Sequence, residues 1–165
     1  MEIERDGGIK MVNINAEYVN PFLLAAVSVL RDFNLTAKMG KAEAKTAAYE
    51  TDSIIIMIGV TGEMRGQVLI SFSYASACDV ASKMMMTEVT ELGDIATSAI
   101  CELGNMILGN AATVFSNKGI GIDITPPTVC KGNVVFSSNY AANICIPLIL
   151  DSGHTIDINV SVKGD

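Results

Sequence analysis

One uninterrupted helical segment, from about residue 92 to residue 117, most constrains how this chain can fold. At about 1.5 Å per residue it spans roughly 39 Å, and Gly119-Ile120-Gly121 ends it. Its apolar residues fall within one arc of a helical wheel, so one side of the helix is predicted to be buried. That arc contains Leu92, Ala96, Ile100, Leu103, Ile107, Ala111, Val114 and Phe115. A helix this long with one apolar side needs a broad apolar surface to pack on.

Strand patterns predict that surface. Residues 53–60 form an apolar, β-branched run typical of a strand covered on both faces, and residues 67–73 return after a turn at 61–66. Residues 155–162 alternate apolar and polar, as in a half-buried antiparallel strand. We further predict helices at 15–33 and about 74–86, an edge strand and loop at 37–49, an extended connection at 125–128, and strands at 133–137 and 142–150. The fold class is therefore α+β, with helices packed on one face of a mostly antiparallel sheet and one long exposed helix.

Length and charge narrow the classes of function. The 165 residues suit a single domain, and an apolar fraction of 50% argues against disorder. Eleven basic and 18 acidic residues give a net charge of −7, which disfavours nucleic acid and anionic membranes as partners. The apolar stretch at 19–30 lacks a basic flank and is too short to span a bilayer, so we expect a cytoplasmic protein. Residues 1–10 are predicted to be a tail, with Met11 as an alternative start, and 11–165 one domain.

Cysteine and histidine are too sparse to predict a metal site or a catalytic triad. The cysteines have no C-x-x-C spacing and are expected to be reduced core thiols; they are Cys78, Cys101, Cys130 and Cys145. His154 is the only histidine and is predicted to lie in a surface turn. Ser152, His154 and Asp157 are too close in sequence to converge on one atom. No C-x5-R loop accompanies Cys101, so we predict neither a nucleophile nor a cofactor held by this chain.

The side of the long helix opposite the apolar arc is polar. It carries Ser98, Glu102, Asn105, Gly109, Thr113 and Ser116. Glu102 and Asn105 are three residues apart and so project in nearly the same direction. Gly104 and Gly109 each cost about 1 kcal/mol relative to alanine within a helix, which suggests that something approaches the backbone here. The spacing alone leaves two interpretations open, a plain solvated stripe and a functional site.

The motif Ser98-x-x-x-Glu102-x-x-Asn105, followed by Asp123-Ile124-Thr125-Pro126-Pro127-Thr128-Val129, resembles the CheX branch of the CheC–CheX–FliY phosphatases of bacterial chemotaxis. Segments 58–62, 71–73 and 99–110 and the last two predicted strands support the resemblance in order and spacing. It covers nearly the whole chain from Met11 onward. The stretch Glu17-Tyr18-Val19-Asn20 also fits E-x-x-N, but it lacks the flanking pattern, and we interpret it as chance.

The resemblance implies an enzyme that hydrolyses the aspartyl phosphate of a CheY-type response regulator. Asn105 would orient the attacking water with its amide, which does not titrate, and Glu102 would dock on a lysine of the regulator or help to position the water. The regulator would supply Mg²⁺ and the phosphorylated aspartate. The same resemblance predicts supporting or docking roles for four more residues, which are Ser98, Gly109, Pro126 and Pro127. The alternative is a non-catalytic regulator-binding or flagellar-switch-like scaffold that uses the same helix.

A homodimer joined edge to edge is also implied by the resemblance. Pro147 lacks an N–H group, so it predicts that strand 142–150 lies at an edge or a bulge. Strand 155–162 has few edge charges and is expected to present an edge that pairs with a second copy.

Overall fold

A computed structural model describes residues 2–5, 8–11, 16–136 and 142–164. In this part of the chain there are three helices and twelve strands. The helices are α1 (Ala16–Asp32), α2 (Tyr74–Met85) and α3 (Asp94–Asn117). The strands are β1 (Glu2–Arg5), β2 (Gly8–Met11), β3 (Ala37–Met39), β4 (Glu43–Ala44), β5 (Ala47–Tyr49), β6 (Ser53–Gly62), β7 (Met64–Ser73), β8 (Ile122–Ile124), β9 (Thr128–Lys131), β10 (Val134–Phe136), β11 (Ile144–Leu150) and β12 (Thr155–Gly164).

The main sheet has the strand order β2-β1-β4-β11-β12-β7-β6-β8, with β3 also paired to β11 and β9 also paired to β6. Its pairs are antiparallel except for the parallel contact between β1 and β4. A separate two-stranded ribbon joins β5 and β10. The α+β class with a mostly antiparallel sheet is thereby confirmed.

The three helices cover one face of the sheet, as the sequence predicts. Ile54, Ile56 and Ile58 of β6 point into the core that the helices complete. Ile55 points to the opposite face, where it packs with Leu69 beneath residues of the β5–β10 ribbon. The continuous apolar run of β6 therefore belongs to a strand buried on both faces.

Helix packing follows the predicted apolar arcs. Ile100, Leu103 and Phe115 of α3 are fully buried, and the Phe115 ring meets Phe22 of α1 edge to face with centroids 5.1 Å apart. Ser73 caps α2 by accepting a hydrogen bond from the Ser76 N–H at 3.1 Å. The predicted helix bounds are correct to within two residues. Residue 15, the predicted start of the first helix, lies outside the described residues.

Two predictions about turns and edges are wrong. The predicted turn at 61–66 is much shorter, because β6 runs to Gly62 and β7 begins at Met64. Gly66 continues β7 at φ 152°, and the Ser161 carbonyl oxygen of β12 lies where a Cβ would stand. Strand 155–162 is not an edge, because β12 is paired on both sides, to β11 and to β7.

Other segments contain more strand than the sequence predicts. Residues 37–49 form three short strands, and the predicted connection at 125–128 lies between β8 and β9, which both pair with β6. Strand β11 is not an edge either, because it pairs with β12 on one side and with β3 and β4 on the other; Pro147, opposite Asp157 of β12, lies in the gap between the stretches that pair with β4 and β3. The backbone at 2–5 and 8–11 is a hairpin rather than a plain tail, and the domain boundary at residue 11 stays a prediction. Predicted strand residues beyond 136 and before 142 fall outside the described residues.

Candidate active site on the long helix

The structure places the predicted polar residues along one exposed line of α3. Ser98, Glu102 and Asn105 are exposed and Gly109 is partly exposed; we call these four residues the α3 stripe. In the described part of the chain, the Glu102 and Asn105 side chains have neither a hydrogen bond nor an ion pair. A carboxylate and an amide are therefore presented together with their binding capacity unused.

Packing on the opposite side fixes where the α3 stripe lies. Ile100, Leu103 and Leu108 are fully buried, and Ile107 is 1% exposed. A Cβ at Gly104 would stand 2.9 Å from Ile56 Cγ2, so the helix backbone rests directly on β6. This close approach holds the helix at one height above the sheet, and the exposed pair with it.

The two glycines of α3 are therefore explained by different features of the structure. At Gly104 the close neighbour is the chain's own strand β6, so the expectation that both glycines allow another molecule to approach the helix backbone is wrong at this position. At Gly109 a Cβ would meet no atom within 4 Å. Only Gly109 keeps the interpretation of an open approach to the helix backbone.

Pro126 and Pro127 connect β8 to β9 at the edge of the sheet beside α3. The Thr125 hydroxyl oxygen accepts a hydrogen bond from the Gly59 N–H at 2.8 Å, and the Thr125 N–H donates to the Gly59 carbonyl at 3.0 Å. Thr125 thus ties the start of the connection to β6. Pro126 is exposed and Pro127 partly buried, and the structure shows neither one in contact with Glu102 or Asn105.

The other chemically interesting residues lie apart from the α3 stripe. All four cysteines are free, as predicted, and burial raises the pKa of Cys101, with a smaller opposing effect from Lys131. His154 is half-buried in the β11–β12 turn and borders a cavity of about 410 Å³ near Tyr49 and Asp157. This cavity is at the edge of α2 and on the sheet face away from α3. Glu17 and Asn20, the ends of the second E-x-x-N match, are exposed on α1. The interpretation of that match as chance stays a prediction.

Within the described residues, no three His, Cys, Asp or Glu side chains are grouped so as to hold a metal ion. No helix in that part of the chain is long and apolar enough to cross a membrane.

Two exposed side chains beside the α3 stripe were not predicted as part of a site. Ile95, in the first turn of α3, is 75% exposed. Lys131, at the end of β9, lies close enough to Cys101 for its charge to lower the pKa of that thiol. The spacing of seven residues could have related Ile95 to Glu102 on one side of the helix, whereas nothing local in the sequence relates Lys131 to α3.

The chain has the fold of a CheC-like protein. A CheC-like superfamily protein from Shewanella sp. PV-4 superposes with a TM-score of 0.81 at 26% identity, covering 92% of this chain and 100% of that one. CheX in a CheX–CheY–BeF3–Mg²⁺ complex from Borrelia burgdorferi matches with a TM-score of 0.74 at 32% identity, over 88% of this chain and 97% of that one.

Sequence similarity then narrows the class to one family. A family model described as chemotaxis phosphatase CheX matches residues 54–148. The CheY-P phosphatase CheX of Thermotoga maritima is 33% identical over 152 residues, which cover 91% of this chain and 98% of that protein. The chain belongs to the CheX family of chemotaxis phosphatases, as its motif predicted.

Proposed function

We propose that this protein dephosphorylates the aspartyl phosphate of a CheY-type response regulator with Asn105 and Glu102. The observation that carries the proposal is a free carboxylate and a free amide on the exposed side of a helix whose other side is buried. The Thermotoga relative is a CheY-P phosphatase, and the Borrelia relative is found in complex with CheY. Both relationships favour a phosphorylated regulator as the substrate here.

The residues on α3 suit a reaction whose reactive groups are divided between two proteins. Hydrolysis of an acyl phosphate needs a water molecule in line with the leaving oxygen. The Asn105 amide can accept a hydrogen bond from that water and donate one to a phosphoryl oxygen, and it keeps its charge state at any physiological pH. Mg²⁺ held by the regulator would neutralise charge on the phosphoryl group, so this chain would need no cofactor of its own.

Glu102 has the complementary role of docking. A carboxylate one turn before Asn105 can pair with a lysine of the regulator, which would fix the rotation of α3 about its axis relative to the phosphoryl group. Ser98 and Gly109 extend the same line, and Pro126 and Pro127 would support it from the edge of the sheet. The protein is expected to act in the cytoplasm, where its proposed substrate is made.

The experiment is the decay of a CheY-type regulator labelled with acetyl phosphate, with and without this protein. Asn105→Ala should reduce the stimulated rate by about 100-fold or more, because a misplaced water costs that much, while the variant still binds the regulator. Asn110→Ala is the matched control, an exposed asparagine on another side of the same helix. Full activity in Asn105→Ala would refute the water-positioning role. If the wild-type protein binds the regulator without changing the lifetime of its phosphate, the protein is a non-catalytic scaffold instead.

We also propose a homodimer, joined at the β3 edge rather than at β12. In the described residues β3 pairs only with β11. Beside it, Leu24 and Met39 are 56% and 54% exposed and border a groove of about 190 Å³. A strand with one unpaired edge, flanked by exposed apolar side chains, is a surface that a second copy can cover.

A further inference from the structure

Ile95 is an apolar side chain on the exposed face of α3 with no role in the core. It lies seven residues before Glu102, which is two helical turns or about 10.5 Å along the same side of the helix. At 75% exposed it is the most exposed apolar residue of α3. A large apolar side chain exposed on the same helix face as unpaired polar groups is typical of a protein interface.

Lys131 reaches the same surface from the sheet. The register of β9 on β6 sets Val129 opposite Ile56, the residue that touches Gly104, and sets Lys131 opposite Ile54. Val129 packs into the helix-side core and Cys130 into the cluster on the other face. Because side chains alternate along a strand, Lys131 points to the helix side.

The charge of Lys131 is therefore placed beside the α3 stripe. It acts on Cys101, the residue immediately before Glu102. Lys131 is exposed and has no ion pair with any described residue, and α3 itself contains no lysine or arginine. Its positive charge is available to a partner that docks on the helix.

We propose that Ile95 and Lys131 flank Glu102 and Asn105 as the two outer contacts of one docking surface for the phosphorylated response regulator. The inference rests on the proposed function and extends its site. Ile95 supplies an apolar contact that strengthens the complex, and Lys131 attracts the anionic phosphoryl group and its acidic surroundings. Both contacts add to the affinity of the complex in which Asn105 reaches the phosphoryl group, and neither is needed to orient the amide once the complex has formed.

The two contacts differ in physical nature, so they leave different signatures. The decay rate of phosphorylated CheY-type regulator, measured against the concentration of this protein, gives a half-saturating concentration and a maximal rate. Ile95→Ala should raise the half-saturating concentration about tenfold at every salt concentration, since lost apolar burial is not screened. Lys131→Glu should raise it threefold to tenfold at low salt, and this difference should disappear at about 0.5 M salt. The maximal rate should be unchanged in both variants.

Matched controls come from elsewhere in the chain. Val135 is 69% exposed on the ribbon that covers the opposite sheet face, so Val135→Ala should leave both parameters unchanged. Lys163 is an exposed lysine on β12, three strand positions or about 14 Å from β9 across the sheet, and it alternates with Val162 to the face away from α3; Lys163→Glu should also be neutral. Lys131→Arg keeps the charge and should restore the wild-type value. Thermal unfolding of each variant separates docking from a folding defect.

Failure of this inference is distinguishable from failure of the proposed function. If the wild type shortens the phosphate lifetime but Ile95→Ala and Lys131→Glu behave like their controls, the docking surface is wrong and the function stands. If the wild type has no effect on the lifetime, the proposed function fails. The docking surface can then be tested separately by measuring binding to a regulator loaded with BeF3 and Mg²⁺. Weaker binding by both variants supports the docking surface, and unchanged binding refutes it.

Discussion

Two glycines of α3, five residues apart, are expected to respond in opposite directions to the same substitution. An alanine Cβ at Gly104 would lie 2.9 Å from Ile56 Cγ2 and 3.5 Å from Ile58 Cδ1. Both isoleucines are fully buried, so neither can move aside into solvent. At Gly109 the added methyl group meets no atom within 4 Å. One substitution overfills the core and the other fills empty space.

The expected magnitudes follow from two opposing terms. Alanine is favoured over glycine within a helix by about 1 kcal/mol, and both positions gain that amount. Overpacking costs roughly 1–3 kcal/mol and applies at Gly104 only. Gly104→Ala should therefore lower the free energy of unfolding by about 0–2 kcal/mol, and Gly109→Ala should raise it by about 0.5–1 kcal/mol.

Urea unfolding followed by circular dichroism measures both changes in one experiment. Gly109→Ala should move the midpoint to higher urea and raise Tm by about 1–4 °C, whereas Gly104→Ala should move both downward or leave them unchanged. An equal rise in the two variants would refute the tight contact between α3 and β6. A loss of stability in Gly109→Ala would refute the open space at that position. If Gly109→Ala is stabilised yet captures the regulator more weakly, close approach of the partner to this backbone is supported.

Two further predictions concern other parts of the sheet. Burial raises the pKa of Asp157 above 3.8, with Lys45 opposing and Glu43 adding to the effect, in surroundings that include Tyr49 and Cys145. The folded state then binds the proton more tightly, so stability falls as pH rises from 3.8 through the folded pKa. Asp157→Asn should therefore be more stable than wild type at about pH 7 but not at about pH 3, as measured by urea unfolding. An equal difference in stability at the two pH values would contradict this prediction. Leu24→Asp should shift a dimer to monomers in sedimentation velocity while the monomer stays folded, and an unchanged dimer would remove the β3 edge from the interface.

Local periodicity accounts for what could be predicted from the sequence. The buried side of α3 follows from helix geometry alone, so Ala96, Ile100, Leu103, Ile107 and Phe115 were predicted correctly. Leu92 packs against the core, as predicted, but lies outside the helix, which begins at Asp94 after Gly93 at the N-cap. The glycine at 104 was missed as a core residue, since a wheel of apolar side chains gives a glycine no weight.

Long-range pairing accounts for the errors. The alternation in β12 shows one buried face, but it carries no information on whether the strand has one neighbour or two. Glycine is common in turns, so Gly66 was assigned to one. Only the close approach of the Ser161 carbonyl oxygen of β12 explains why a glycine occurs here within a strand. Lys131 joins the surface around α3 through the register of β9 on β6, which no local pattern specifies.

The reactive groups of this chain are placed as expected for a protein that positions the reacting groups of its partner and supplies no nucleophile of its own. Burial raises the pKa of Cys101, and raises that of Cys145 to about 12, so neither thiol is activated as a nucleophile. The exposed pair on α3 consists instead of a carboxylate and an amide, which in the proposed mechanism bind and orient without forming a covalent bond to phosphorus. A misplacement of about 1 Å can lower the rate of a reaction that depends on orientation by about 100-fold, and the contact of Gly104 with Ile56 sets the height of α3 above the sheet. A change of Ile56 that tilts the helix should therefore reduce the maximal rate of dephosphorylation, although its side chain lies beneath the helix and never meets the partner.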